Sequence, residues 1–318
     1  MSQTRADARA AHLADPALLH ALFDDAALFP PASLDMPAAL AGHLRHSGAW
    51  YRDMTGLFVC SDGQLPLLRA AMTAANVPGI ALALLVPGGA AQLSGAVDAA
   101  RADPRLALRA VELPLLSAGP DAAGPDAAAA ARALAAALDE TLPAGVTGLV
   151  EIPVAACTPG VLEVLAERGY RGKLRTGGTS AEAFPGEGEL AGALAALAAA
   201  RLPVKCTAGL HHAVRHTAAG TGFDHHGFLN VLCAAAAAAD GAETGALAAV
   251  LAERDPARVA ARAAGLTPDQ VLAARSILTS VGTCSIDEPV ADLVALGLAA
   301  PPSSDAPGAP GGPGGATA

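Results

Sequence analysis

Three histidines and an arginine crowd into six residues of the stretch VKCTAGLHHAVRH (204–216), directly after a lysine and a Thr-Ala-Gly turn. Five of the nine histidines fall between 211 and 226 (His211, His212, His216, His225 and His226), with Arg215 and Asp224 among them and Asn230 just beyond in HHGFLN. Imidazoles change charge near neutral pH, so such a grouping suits two kinds of chemistry. One is ligation of a divalent metal ion by these histidines, with Asp25 or another strand-end carboxylate as oxygen ligand. The other is acid/base work by one or two imidazoles, the rest hydrogen-bonding an anion. Adjacent His-His pairs cannot point the same way on a regular element, and neither HxH nor HExxH spacing occurs. Catalysis without a cofactor is therefore the leading expectation and a divalent metal ion the alternative.

The remaining chemistry-bearing residues sit at the ends of short aliphatic runs. Glu112 closes LALRAVELPL, Glu151 lies in GLVEIPV, Lys173 and Arg175 in KLRTGG, and Lys205 and Thr207 in PVKCTAG. ALFDD ends in Asp24 and Asp25, and SVGTC leads through Gly282 and Thr283 to Ser285. Period-two alternation puts Lys173 and Arg175 on one strand face, and Lys205 with Thr207 on another. Charged groups inside an aliphatic barrel are costly unless they pair or bind something. The expected catalytic set is Lys205, Lys173, Glu151, Glu112, His211 and His212, the two histidines closing the site. A buried lysine beside Arg175 is expected to have a depressed pKa and to be nucleophilic. Glycine turns after successive strands, together with nearby cations and amides, form anion-binding concavities. That gives an expected anion-binding set of Arg175, Gly177, Gly178, Thr207, Arg215, Asn230, Gly282, Thr283 and Ser285.

To meet, these residues need a scaffold that gathers strand ends. Eight strand candidates alternate with helical stretches: 21–25, 55–61, 79–86, 106–115, 148–154, 173–178, 203–209 and 280–284. Such alternation implies parallel strands with right-handed crossovers, and several strands are apolar on both faces. Eight units fit a closed (β/α)8 TIM barrel of class α/β, whose active site lies at the C-terminal strand ends. No GxGxxG follows the first strand, which counts against an open doubly wound sheet. The expected organisation is one barrel domain over 1–299, with an N-terminal helical extension and a lid-like insertion after strand seven. A disordered Pro/Gly-rich tail over 300–318 completes it. Alanine tracts such as CAAAAAAD (233–240) read as compositional bias.

Composition narrows the function classes. Apolar residues make up 53% of 318 and aromatics 3%, so the core must be aliphatic. A net charge of −10 with no Lys/Arg run argues against nucleic acid as partner. No stretch has the apolar length of a membrane span and the N-terminus carries no secretory segment. The five cysteines form no CxxC pair, as in reduced thiols of the cytoplasm. A cytoplasmic protein with a small anionic metabolite as partner is expected. Self-association into a homo-oligomer stays open.

Two resemblances follow from these motifs. Lys173-Leu-Arg-Thr176-Gly177, Lys205-Cys-Thr-Ala-Gly209 and Gly282-Thr283-Cys-Ser285 resemble the strand-six, strand-seven and strand-eight motifs of class I aldolases of the deoxyribose-phosphate aldolase type. That likeness implies a Schiff base on Lys173, a pKa-lowering role for Lys205 and a phosphate held at 282–285. The KxTAGLHH…HHGFLN pattern (205–230) is similar to that of an uncharacterised bacterial TIM-barrel family and implies no reaction. The leading expectation is a lyase of aldolase type, or an isomerase, acting on a small phosphorylated or carboxylated carbonyl compound through Lys205 or Lys173. The alternatives are a metal-dependent lyase or hydrolase using the histidine cluster, and a non-catalytic metabolite-binding protein.

Overall fold

The computed structural model describes residues 13–115 and 127–302. The expected N-terminal extension up to residue 12, residues 116–126 and the expected tail from residue 303 onward lie outside the described residues. Eight parallel strands close into a barrel. They are β1 (Phe23–Asp25), β2 (Thr55–Ser61), β3 (Ile80–Leu85), β4 (Leu106–Pro114), β5 (Thr147–Glu151), β6 (Arg171–Arg175), β7 (Val204–Thr207) and β10 (Leu278–Thr283). Each neighbours its sequence predecessor, and β10 pairs with β1 to shut the ring. The chain is a TIM barrel.

Leucine and alanine have no strong strand preference, so the strands owe their conformation to burial on both faces and to Gly/Pro punctuation. IALALL of β3, for example, follows Pro78-Gly79 and is covered outside by helices. The helices carry their own start signals. Asp35 accepts the amide of Ala38 at 2.9 Å ahead of Met36–Gly48. Thr267 and Gln270 form a capping box ahead of Pro268–Ile277. Proline occupies the first turn of both, where its missing N–H costs nothing.

Two apolar regions result. The large one fills the layer between strands and helices. The small one lies inside the ring, where Val59, Ala83, Ala110 and Leu149 meet, with Phe29 and Leu57 packed against them. This interior plug is aliphatic on one side only, because β6, β7, β10 and β1 present polar residues there instead. The alanine tract has a packing role. In the helix Phe228–Ala239 ten of twelve residues are buried, and small side chains let it lie against the helices 187–200, 244–252 and 268–277.

The insertion after β7 folds back as a short antiparallel hairpin of β8 (His216–Thr217) and β9 (Asp224–His225). It covers part of the C-terminal mouth of the ring, as a lid would.

Candidate active site

Six charged side chains inside the barrel form one alternating chain. The Lys205 ammonium touches Asp24 Oδ2 at 2.7 Å and Glu112 Oε1 at 2.6 Å. The other oxygen of Glu112 is 2.8 Å from Lys173 Nζ, which is also 3.0 Å from Glu151 Oε2. Glu151 Oε1 in turn lies 3.9 Å from Arg175. The order Asp24–Lys205–Glu112–Lys173–Glu151–Arg175 balances three carboxylates against three cations. It also runs outward, from Lys205 and Glu112, each 1% exposed, to the half-exposed Arg175.

Strand register produces this arrangement. Lys173 pairs with Lys205 across β6 and β7, and with Glu151 across β5 and β6. Lys205 pairs with Ser280 on β10, whose hydroxyl donates to Asp24 Oδ2 at 2.9 Å. The Leu57 amide donates to Asp24 Oδ1 at 2.8 Å, so both carboxylate oxygens are held. Two glycines make the room. A Cβ at Gly56 would collide with the Asp24 carboxylate, and one at Gly282 would stand 2.7 Å from Thr207 Oγ1 and 3.2 Å from Lys205 Cε.

Electrostatics fixes the charge states at the deep end. Burial alone would raise the Glu112 carboxyl, but the ammonium groups of Lys173 and Lys205 outweigh it and hold the pKa at about 2. Burial likewise opposes the Lys205 charge, and the Asp24 and Glu112 carboxylates outweigh it and raise its pKa above the ordinary lysine value. This corrects the expectation of a depressed pKa for Lys205, since two carboxylates, rather than Arg175, are its neighbours. Lys205 is a fixed ammonium in the resting site.

Above this chain lies a cavity of about 410 Å3. Glu112, Lys173, Lys205 and Thr207 form its floor, Arg175 and Gly178 one edge, and Gly282 with Cys284 another. Phe29, the cis-linked Pro30-Pro31 pair and Phe184 give apolar walls. Phe223 and His225 of the lid hairpin reach in from above, and His211 from the segment before it. A few convergent charges in an apolar cleft of this size are the usual make-up of a small-molecule site.

Of the residues singled out from sequence, the structure thus brings Lys205, Lys173, Glu112, Arg175, Gly178, Thr207, Gly282 and His211 to one cavity, with Glu151 in contact with Lys173 and Arg175. The others go elsewhere. Gly177 packs against Gly209, where a Cβ would come within 2.9 Å of the Gly209 Cα. Thr283 and Ser285 bond to each other, and Ser285 Oγ accepts the Glu288 amide at 3.3 Å, starting the helix Asp287–Ala295. Arg215 is spent on Glu187 at 2.7 Å and on His226 at 3.1 Å. Asn230 accepts the Arg215 amide and donates to the carbonyls of Val250 and Glu253. Arg215 and Asn230 hold the lid segment onto the helices beneath it. Both side chains thus serve as a structural clamp.

The histidines disperse as well. His212 faces outward and pairs with Asp292 at 3.1 Å. His216 lies between His212 and His225, ring centroids 4.7 and 5.2 Å away. His226 has no solvent exposure and uses both nitrogens, on the Pro185 carbonyl at 2.7 Å and on Arg215. Asp25 turns out of the barrel to His43 at 3.1 Å. The proposed ligands His211, His212, His216, His225, His226 and Asp25 therefore do not converge. Among the described residues no three His, Cys, Asp or Glu side chains are placed to hold a metal ion. None of the described helices is long and apolar enough to cross a membrane.

Asp24, rather than its neighbour Asp25, is the strand-one carboxylate of the site. Adjacent strand residues must face opposite ways, which is the signal for one of the two, but a three-residue strand gives no pattern from which to choose. The cavity walls Phe29, Pro30, Pro31, Phe184 and Phe223 come from loops and had no periodic signal at all. No family model matches the chain, nor does any curated protein or solved structure.

Proposed function

We propose that this barrel is an enzyme that makes or breaks a C–C bond next to the carbonyl of a small anionic compound, through an imine on Lys173. The observation that carries the reading is the sharing of one buried carboxylate, Glu112, by two lysines at the floor of an enclosed cavity. A structural ion network would have no need of an adjoining cavity lined by both lysines.

The two lysines differ in what they can do. Lys205 is tied to two carboxylates that keep it charged, so it serves as the acid. Lys173 touches Glu151, whose side chain is 24% exposed and can pass a proton to water. The free amine of Lys173 then adds to the substrate carbonyl carbon. The carbonyl oxygen leaves as water, taking one proton from that nitrogen and one from Lys205 through Glu112, and a protonated imine remains. Its positive charge draws electrons out of the adjacent bond, which is the basis of aldol cleavage and of isomerisation beside a carbonyl. Arg175 at the rim and the amides around Gly178 and Gly209 suit a phosphate or carboxylate on the substrate.

Borohydride reduction in the presence of small aldehydes and keto acids, followed by peptide mass spectrometry, tests this reading. The expected result is an irreversible adduct on Lys173 in the wild type that is lost in Lys173→Met. An adduct on Lys205 alone, or none with any carbonyl compound, overturns it.

A further inference from the structure

Beyond the lysine floor, one imidazole faces the same cavity with a carboxylate behind it. His211 lines the cavity, and its Nδ1 lies 3.3 Å from Glu288 Oε2 and 3.6 Å from Cys284 Sγ. A carboxylate can only accept, so Nδ1 carries the proton and Glu288 receives it. Burial pushes the Cys284 thiol up, which leaves it protonated and no rival for that role. The other nitrogen, Nε2, is then an unprotonated acceptor with no partner among the described residues. Burial first, then neighbouring histidines, lower the His211 pKa against the pull of Glu288, so the ring stays neutral at pH 7. The backbone at Glu288 is held, since it sits in the first turn of the helix Asp287–Ala295 and its amide is bound by Ser285 Oγ.

We infer that His211 is a catalytic base for a substrate hydroxyl and that Glu288 is the positioning residue that sets its tautomer. This deepens the imine reading above and rests on it. With the substrate carbonyl held as an imine on Lys173, bond breaking needs a proton acceptor for the hydroxyl on the β-carbon. Nε2 of His211 takes that proton. The O–H electron pair becomes the new C=O bond, the C–C bond breaks, and its electrons neutralise the iminium to give an enamine on Lys173. The departing fragment leaves as an aldehyde or ketone. Lys205, neutral since it protonated the departing water, regains a proton from solvent, to which the His211 imidazolium returns its own. Lys205 then protonates the enamine carbon, and hydrolysis of the resulting imine releases the second fragment and returns that proton to Lys205. No oxidant or further reactant is required. Of the carboxylates below His211, Asp24 and Glu112 are bound by ammonium groups, and Glu151 is engaged by Lys173 and Arg175.

Two half-reactions separate this inference from the reading beneath it. Exchange of α-hydrogens of acetaldehyde, acetone and pyruvate with D2O, followed by NMR, needs the imine and enamine but no hydroxyl base. Cleavage of the β-hydroxy adducts of these three with acetaldehyde needs both. For the carbonyl that exchanges, His211→Gln is expected to slow cleavage at least about 100-fold while exchange stays within about threefold. Glu288→Gln is expected to slow cleavage about 10-fold through kcat with KM little changed, and Glu288→Asp to recover most of that loss. Glu288 is half-exposed, so its variants keep the test alive if His211→Gln fails to fold. Exchange in the wild type with cleavage untouched by these substitutions overturns the inference and leaves the imine standing. Absence of both exchange and trapping in the wild type overturns the imine, and the inference with it.

Discussion

Replacing Glu112 by glutamine keeps the shape of the side chain and removes the charge that two buried ammonium groups share. The cost can be worked two ways. At an effective dielectric of about 20, unit charges about 4 Å apart attract by about 4 kcal/mol, and Glu112 has two such contacts. Part of that gross value is returned because a buried carboxylate no longer has to be desolvated, which leaves the ~3–5 kcal/mol typical of breaking a buried pair. Linkage gives a second route. The carboxyl lies at about 2 in the folded chain against an ordinary 4.5, which is worth ~3 kcal/mol at neutral pH. Because the folded value is depressed, this stabilisation is complete above pH 4.5 and is lost as pH falls towards 2. Urea unfolding at several pH values should therefore show Glu112→Gln about 3 kcal/mol less stable than wild type at pH 7. The difference should shrink as pH falls below 4.5. Glu112→Gln combined with Lys173→Met leaves the pairs Asp24–Lys205 and Glu151–Arg175 and should regain part of the loss. A single variant within about 0.5 kcal/mol of wild type at pH 7, or a gap that does not change with pH, would refute the account of the shared carboxylate.

Other perturbations test neighbouring parts of the site. Gly56→Ala forces the Asp24 carboxylate away from Lys205, and a loss of ~1–3 kcal/mol in urea unfolding is expected. Asn230→Ala strips three hydrogen bonds that join the lid segment to the helices, and brief proteolysis should then cut between residues 211 and 227 faster than in wild type. His46, His211, His216, His225 and His226 all have pKa values lowered chiefly by burial. The unfolded chain therefore binds more protons below about pH 6.5, and stability should decline from pH 7 towards pH 5. His226→Gln should flatten that decline, and a wild-type stability curve level across this range contradicts the assignment of neutral imidazoles.

The sequence carried the ring and the positions of most of its charges. Eight aliphatic runs bounded by glycine and proline are hard to mistake when helices separate them, and all eight became barrel strands. Lys173 and Arg175 shared a face as alternation requires. Legibility fell where a side chain's surroundings come from distant chain. Whether Lys205 sits beside Arg175 or between Asp24 and Glu112 depends on register across the ring, and that choice reverses the direction of its pKa shift. The sequence suggests anion contacts for Arg215 and Asn230, and nothing in it points to the clamp that their loop requires. Its real demand, buried backbone groups of a folded-back hairpin, was invisible without the helices beneath.

The interior charges also divide along the chain. β1 to β4 supply Asp24 and Glu112, whereas β5 to β10 supply Lys173, Arg175, Lys205 and Glu151. The first half of the barrel thus exposes an acidic inner wall until it meets the second, whose inner wall carries surplus positive charge. Joining the halves neutralises both and creates the reactive floor in the same step. Fragments split between β4 and the helix Ala127–Thr141 should attract each other in dilute salt, and neither alone could hold Lys205 in its ammonium trap.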